Sequence, residues 1–442
     1  MTDNTYKNGR RVSAAAGWLA LSPVLVFLLL YVAVSVIIDD FYKMPIAVAL
    51  VVASMWAVII YRGHSLMDRI DTFSRAAGHP NILYMIWVFV LAGAFASIAK
   101  EIGAVDATVN LTLRFFPPEF VVPTLFFAAC FISLSIGTSV GTVVALVPLA
   151  VEIASTVDAS VPFYVAAVLG GAFFGDNLSF ISDTTIAATR SQGCNMADKF
   201  KANLWIALPA AVITLSAYVI MGQDTPAIAL GQSSNYWLIL PYIVVLATAI
   251  SGLNVTIVLT LGILAALGMG IATSIPMIDM ATFAGSGIAA MGDLIVITLL
   301  AAGMLGVIKA AGGISFILRG LTARISGQRG AQAVLACLVG VVNLCTANNT
   351  VAIITVGSIS ADIAQRYGID RRKSASLLDS ASCVVQCLIP YGAQTLLATS
   401  LAGISPAAPF PYLYYPWALA AMIVLSIIFL FPRHLSRARY TE

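Results

Sequence analysis

Twelve apolar segments follow one another between residues 14 and 432, and four of them are interrupted midway by polar residues. Eight run unbroken, near 14–38, 44–61, 83–99, 203–221, 236–252, 254–273, 293–318 and 413–432. Segments of that length read as membrane-spanning helices, because about 20 apolar residues cross the hydrocarbon of a bilayer. The interrupted four constrain the fold more sharply. Inside lipid every backbone N–H and C=O needs an internal partner, so irregular backbone at membrane depth survives only where protein or a water-filled cavity surrounds it. The chain must therefore bury its breaks against one another.

Residues 120–155 are broken by Ser133–Thr142, and 161–190 contain a polar run from Gly170 to Thr185. Residues 331–364 are broken by Asn343–Thr350, and 376–402 by Asp379–Gln386 and then Pro390. Three glycines, Gly170, Gly171 and Gly175, predict that the second segment breaks just before its acids. With 60 % hydrophobic and 10 % charged residues, against about 25 % charged in soluble domains, the chain is an all-α polytopic membrane protein. Its net charge of +3 is too small and too scattered for nucleic-acid binding. The six cysteines lack metal-ligand spacing and the three histidines lie apart, so no cofactor is expected. No His-Glu-x-x-His zinc motif or Gly-x-Ser-x-Gly nucleophile pattern is present, which argues against an enzyme.

Two breaks fall in each half, and weak matches recur at an offset of about 210 residues, a spacing that calls for a repeat search before any fold assignment. Glu152-Ile-Ala154 matches Asp362-Ile-Ala364, and Gly103 matches Gly312. Loop charge sets the topology. If all twelve segments crossed, Arg319, Arg324 and Arg329 would face outside while Lys/Arg-free loops faced the cytoplasm, against the positive-inside rule. Treating 120–155 and 331–364 as re-entrant hairpins places Arg62, Arg69 and Arg75, Arg190, Lys199 and Lys201, and Arg371–Lys373 all inside. The expected architecture is thus about ten transmembrane helices plus two re-entrant hairpins, as inverted-topology repeats with discontinuous helices meeting at the midplane. Residues 1–43 form the N-terminal tail and first span, 44–235 the first repeat and 236–442 the second. Both termini are then cytoplasmic, in the inner (cytoplasmic) membrane of the cell. Such inverted repeats are the architecture of secondary transporters.

Ionisable groups at membrane depth mark function by default. Asp176 and Asp183 lie seven apart, with Asn177, Ser179, Ser182 and Thr184 supplying oxygens between and beside them. A local offset of 203 sets Asp379 opposite Asp176 and Gln386 opposite Asp183, with Ser382 between. The hairpin tips add Thr138, Ser139, Asn348 and Asn349. A carboxylate holds a proton or a small cation but rarely both, so the two ligands compete. Small hard cations want several oxygens, which Ser, Thr, Asn and freed carbonyls provide. Helix N-termini at the same breaks suit an anionic group instead. Plainer roles stay open: a helix cap for Asp176, a helix-start pairing for Asp379, snorkelling for Lys100 and Lys309.

The run Gly175-Asp-Asn-Leu-Ser-Phe-Ile-Ser-Asp-Thr-Thr185 resembles the Gly-Asp-x-x-Ser-Pro-x-Ser-Asp-Thr-Thr signature of the NhaC-type Na+/H+ antiporters. Ser135–Thr142 resembles that family's Gly-Thr-Ser-x-Gly-Thr stretch, and Leu378-Asp-Ser with Leu388-Ile-Pro390 resembles its Glu-Asp-Ser and Leu-Ile-Pro stretches. Phe180 departs from the pattern's proline. The resemblance covers roughly residues 80–400 and implies inverted repeats with re-entrant hairpins. It points to Asp176, Ser179, Ser182, Asp183, Thr184, Thr138, Ser139 and Asp379 as binding residues, with Na+ held at Asp176 and Asp183. The implied activity is Na+/H+ antiport by alternating access. The alternative is a Na+- or H+-coupled symporter of a small amino or carboxylic acid. The partners are the lipid bilayer and small ions or solutes, and a homodimer is compatible with all of the above.

Overall fold

The computed structural model describes residues 14–38, 45–105, 107–108, 111, 118–179, 182–222, 235–251, 253–323 and 325–432. The termini, most of the 222–235 loop and Arg324 of the charge argument lie outside these. Among the described residues the secondary structure is helical throughout. The helices are α1 (Ala14–Ile38), α2 (Ile46–Ile60), α3 (Leu66–Ala77), α4 (Pro80–Glu101), α5 (Pro118–Ile136) and α6 (Ser139–Thr156). Then come α7 (Val161–Leu178), α8 (Asp183–Gln192), α9 (Met196–Met221), α10 (Leu240–Ile250), α11 (Val255–Ala272) and α12 (Met277–Ala290). The last are α13 (Gly292–Ala310), α14 (Gly313–Thr322), α15 (Gly327–Thr346), α16 (Asn349–Arg366), α17 (Arg371–Leu388), α18 (Ala393–Ala402) and α19 (Tyr414–Ile428). Eight described helical stretches are long and apolar enough to cross a membrane.

The chain divides into two compact units. One comprises residues 1–79 and 297–325. In it α1 packs on α2 and α14, with Trp18 edge-on to Phe316 at 5.6 Å and the Trp56 indole donating to Ser22 Oγ at 2.8 Å. The expected single span 293–318 ends instead at Ala310, where Gly312 takes a left-handed φ of 84° and starts α14 afresh.

The other unit, residues 80–296 and 326–442, holds all four breaks. Here α5 and α6 pack together across a two-residue turn, and so do α15 and α16. Helices α7 and α8 are separated at 179–182, and α17 and α18 at 389–392. The boundaries keep a fixed spacing: 349 − 139, 371 − 161 and 393 − 183 are each 210, as are 366 − 156, 388 − 178 and 402 − 192. This corrects the local offset of 203. At 210 the counterpart of Asp176 is Gln386, that of Asp183 is Ala393, and Asp379 stands opposite Leu169.

The glycines before the acids do not break α7, which runs on to Leu178. They serve helix packing instead. A Cβ on Gly171 would lie 2.5 Å from the Phe126 carbonyl, and one on Gly175 would lie 2.4 Å from the Leu134 amide nitrogen, so α5 lies directly on the α7 backbone. Asp379 likewise falls inside an unbroken α17 rather than at a break, and Arg371–Lys373 form that helix's first turn rather than a loop. Residues 277–290, expected in a loop, form α12.

Candidate functional site

Each break is built by residues suited to it. Gly137 turns α5 into α6 with φ 73°, and Ala347 turns α15 into α16 with φ 48°. Glycine adopts that conformation freely, whereas alanine carries its Cβ there against the following carbonyl. Asn348 caps α16 by accepting from the Val351 amide at 3.0 Å. Ser182 caps α8 by accepting from the Thr185 amide at 3.2 Å, and its own hydroxyl donates to the Asp176 carbonyl at 2.9 Å. It thus satisfies one of the carbonyls freed where α7 ends.

The four breaks meet around one cavity of about 490 Å³. Its wall includes Thr138, Ser139, Asp176, Asp183, Thr184, Asn348, Asn349 and Gln386 of the residues singled out from sequence, together with Tyr84 of α4 and Asn254 before α11. Asp176 is 5 % exposed and accepts a hydrogen bond from Ser139 Oγ at 3.0 Å. Asp183, expected to be buried with it, is exposed at the first position of α8 and lines the cavity from there. Both carboxylates line the cavity, one nearly buried and the other exposed, an unequal pair that the seven-residue spacing did not reveal.

The remaining five expected residues stand off the cavity lining. Ser179 donates to the Leu134 carbonyl at 3.1 Å, tying the end of α7 to α5, while Ser182 is used up as the cap. Ser382 donates to the Asp379 carbonyl at 2.9 Å within α17. Asn177 and Asp379 belong to a second, fully buried polar cluster. In it Lys199 is ion-paired with Asp379, both side chains wholly inaccessible, and Lys199 also donates to the Asn177 carbonyl at 2.6 Å and to Thr185 Oγ1 at 2.7 Å. Asn203 donates to Asp379 Oδ2 at 3.0 Å and to Asn177 Oδ1 at 2.5 Å. Lys199, assigned by its charge to a cytoplasmic loop, is a buried residue of α9. Charges taken from water into protein need such pairing and bonding to be tolerated.

Three carboxylates and one ammonium make a formal −3 + 1 = −2 for the site when all are ionised. Asp183, Asp379 and Lys199 are the charged groups acting on Asp176. Among the described residues no three His, Cys, Asp or Glu side chains gather as metal ligands. A cation here would therefore be met mostly by neutral oxygens, which suits a weakly held, exchangeable ion better than a resident one.

Sequence reasoning missed Gln394, which lines the cavity at the start of α18, and Asn203 behind it. The spacing of Lys199 and Asn203, one helical turn apart, held a signal, since residues i and i+4 share a face. Gln394 held none, being one more polar residue beyond a proline.

Comparison with known proteins finds relatives described as antiporters. A relative described as an uncharacterized Na(+)/H(+) antiporter, from Haemophilus influenzae, is 26 % identical over 209 residues, which cover 46 % of this chain and 43 % of that protein. The malate-2H(+)/Na(+)-lactate antiporter of Bacillus subtilis is 24 % identical over 91 % of this chain and 92 % of its own length. The Na(+)/H(+) antiporter NhaC of the same organism is 23 % identical over 76 % and 82 %. The model of the Na+/H+ antiporter family matches residues 11–223 and 225–432. That match takes in both halves and every helix break described above, and the chain accordingly belongs to the Na+/H+ antiporter family, a family of multi-pass membrane transporters.

Proposed function

We propose that the chain exchanges Na+ for H+ by alternating access, with cation and proton competing for Asp176. The observation that carries this reading is the placement of Asp176: nearly buried, in the wall of a cavity where four helix breaks bring Ser, Thr and Asn oxygens together. A carboxylate so placed lacks the hydration that would stabilise its charge, so the charge is either removed by a proton or balanced by a cation. Thr138, Ser139, Thr184, Asn348 and Asn349 would complete a cation's oxygen shell, and Asp183 would attract it from the solvent side. With Lys199 compensating Asp379, the two remaining carboxylates are neutralised by two monovalent charges. In the same reading the α5–α6 and α15–α16 hairpins are re-entrant from opposite sides, the two repeats are inverted, and both termini face the cytoplasm.

A second reading, coupled transport of a small organic acid, rests on one specific observation. The cavity of about 490 Å³ lies in the size range of small-molecule sites, roughly 300–1,000 Å³, far above the needs of a bare ion. The N-termini of α6, α8, α16 and α18 all reach it, and such termini favour carboxylates. One of the relatives above is named for malate and lactate.

Proteoliposomes holding a trapped pH dye decide between the two. Pulses of Na+, Li+ and K+ with no other solute should show Na+ moving protons in the wild type and not in Asp176→Asn. A silent dye in the wild type would reject ion exchange alone and leave the organic-acid reading, tested by uptake of carboxylic and amino acids under a Na+ gradient.

A further inference from the structure

The cavity floor carries a chain of hydrogen bonds that joins the two hairpin tips. Ser139, the first residue of α6, donates to the Asp176 carboxylate at 3.0 Å. Gln394 Nε2 donates to Ser139 Oγ at 3.1 Å. Gln386 Nε2 donates to Gln394 Oε1 at 3.0 Å, and also to the Ala347 carbonyl at the opposite tip, again at 3.0 Å. Gln394 and Gln386 line the cavity but are only 6 % and 1 % exposed, so most of each side chain is enclosed by protein. Among the described residues Gln386 Oε1 has no partner, so Gln386 is held in the chain through its Nε2 alone, and because unmade bonds of buried polar groups are costly the bonds that are made resist breaking.

Direction matters here. A hydroxyl has one proton, and by receiving an N–H from Gln394 the Ser139 oxygen is left to point that proton at Asp176. Gln394 thereby fixes what the carboxylate meets. Through its other end it also ties the α6 tip to the α16 tip. The link is one-sided. At the 210-residue spacing the counterpart of Gln394 is Thr184 and that of Ser139 is Asn349. Thr184 is bonded with Ser182 at 3.1 Å, and the Asn349 amide nitrogen, 6 % exposed, has no partner. The equivalent Thr184–Asn349 bond is therefore not made through the Asn349 amide nitrogen among the described residues.

We propose that Gln394 is a positioning residue that aims the Ser139 hydroxyl at Asp176 and locks the two hairpin tips to each other, so that one side chain sets both the grip on the cation and the relative position of the tips. The cation half of this statement rests on the Na+/H+ reading above; the strut does not. The charged groups near Asp176, namely Asp183 on α8, Asp379 on α17 and Lys199 on α9, bear on the carboxylate and leave the strut itself neutral.

The test uses the full-length protein with Gln394→Met, which keeps length and volume but forms no such bonds, Ser139→Ala, and the double variant. Hydrogen–deuterium exchange of the purified protein is the readout independent of transport. Gln394→Met should raise uptake at both tips, residues 137–142 and 346–351, and Ser139→Ala at the first alone. Gln394→Glu still accepts from Gln386 but offers Ser139 no N–H, so it should loosen only the first tip; Gln394→Leu, which like methionine makes neither bond, stands in if the methionine variant fails to fold. In proteoliposomes, Gln394→Met and Ser139→Ala should each raise the KM for Na+ about tenfold, the loss expected for a hydrogen bond to a charged group. The double variant should be no worse than the worse single, because both act through one hydroxyl. Unchanged exchange at 346–351 in Gln394→Met would overturn the strut, and multiplying KM effects in the double variant would overturn the positioning role. A wild type that moves no protons with Na+ would count against the antiport reading alone, with the exchange data still deciding the strut.

Discussion

Removing the ammonium of Lys199 should destabilise the protein far more than removing the whole ion pair. Lys199 and Asp379 are both fully inaccessible and bonded to each other, and Lys199 also holds the Asn177 carbonyl at 2.6 Å and Thr185 Oγ1 at 2.7 Å. Lys199→Met keeps the apolar stem and takes away the charge, leaving the Asp379 carboxylate buried with neutral donors alone, among them Asn203 at 3.0 Å. Stranding one partner of a buried pair costs about 3–5 kcal/mol, whereas replacing both by groups of similar shape is near neutral. In Lys199→Met/Asp379→Leu the Asn177 carbonyl still receives Asn203 at 2.9 Å, so most of the loss should return. The assay is thermal unfolding of the detergent-solubilised protein by tryptophan fluorescence at one fixed scan rate, since unfolding of such proteins is usually irreversible. The single variant should lose on the order of 5 °C in Tm, scaled down from the 2–4 °C per kcal/mol of smaller domains, and the double variant less than half of that. A single variant within 1 °C of wild type, or a double variant no better than the single, would refute the claim that Lys199 compensates Asp379.

Three further outcomes follow from the geometry. Gly175→Val should abolish folded protein in size-exclusion chromatography, because even a Cβ there would sit 2.3 Å from that of Ser133 and 2.4 Å from the Leu134 amide nitrogen, and the α5 backbone would have to move off α7. Ala347→Gly should raise stability by up to about 1 kcal/mol, the relief of a left-handed alanine less the added freedom of the unfolded chain; a lower Tm would count against strain at that turn. A cysteine placed at Ser326, exposed before α15, should react with an impermeant maleimide only from the cytoplasmic side, and labelling from outside would discard the re-entrant topology.

Much of this site was legible in the sequence because polar residues inside apolar runs have few places to go. Thr138, Ser139, Asn348 and Asn349 were recognisable as tips on that ground alone, and the 210-residue spacing already aligned them. Position along a break was harder to read. Gly175 and its neighbours read as helix breakers, but glycine also permits close helix contact, and nothing local to residues 170–175 distinguishes the two. Asp379 and Lys199 misled in a related way: each lies near basic or terminal residues in sequence, where a charge is usually solvated, and only the packing of α9 on α17 shows that they cancel one another. Gln394 was invisible because its partners, Ser139 and Gln386, are brought to it by tertiary structure.

The bond between Gln394 and Ser139 spans 255 residues of chain. At synthesis rates of about 5–20 residues per second, the α6 tip would exist for roughly 13–50 s before α18 is made. Throughout that interval the hydroxyl and the carboxylate it serves lack the side chain that orients them, and a polar pair at membrane depth without its partners is costly, so the site is completed only when the second half of the chain has been made.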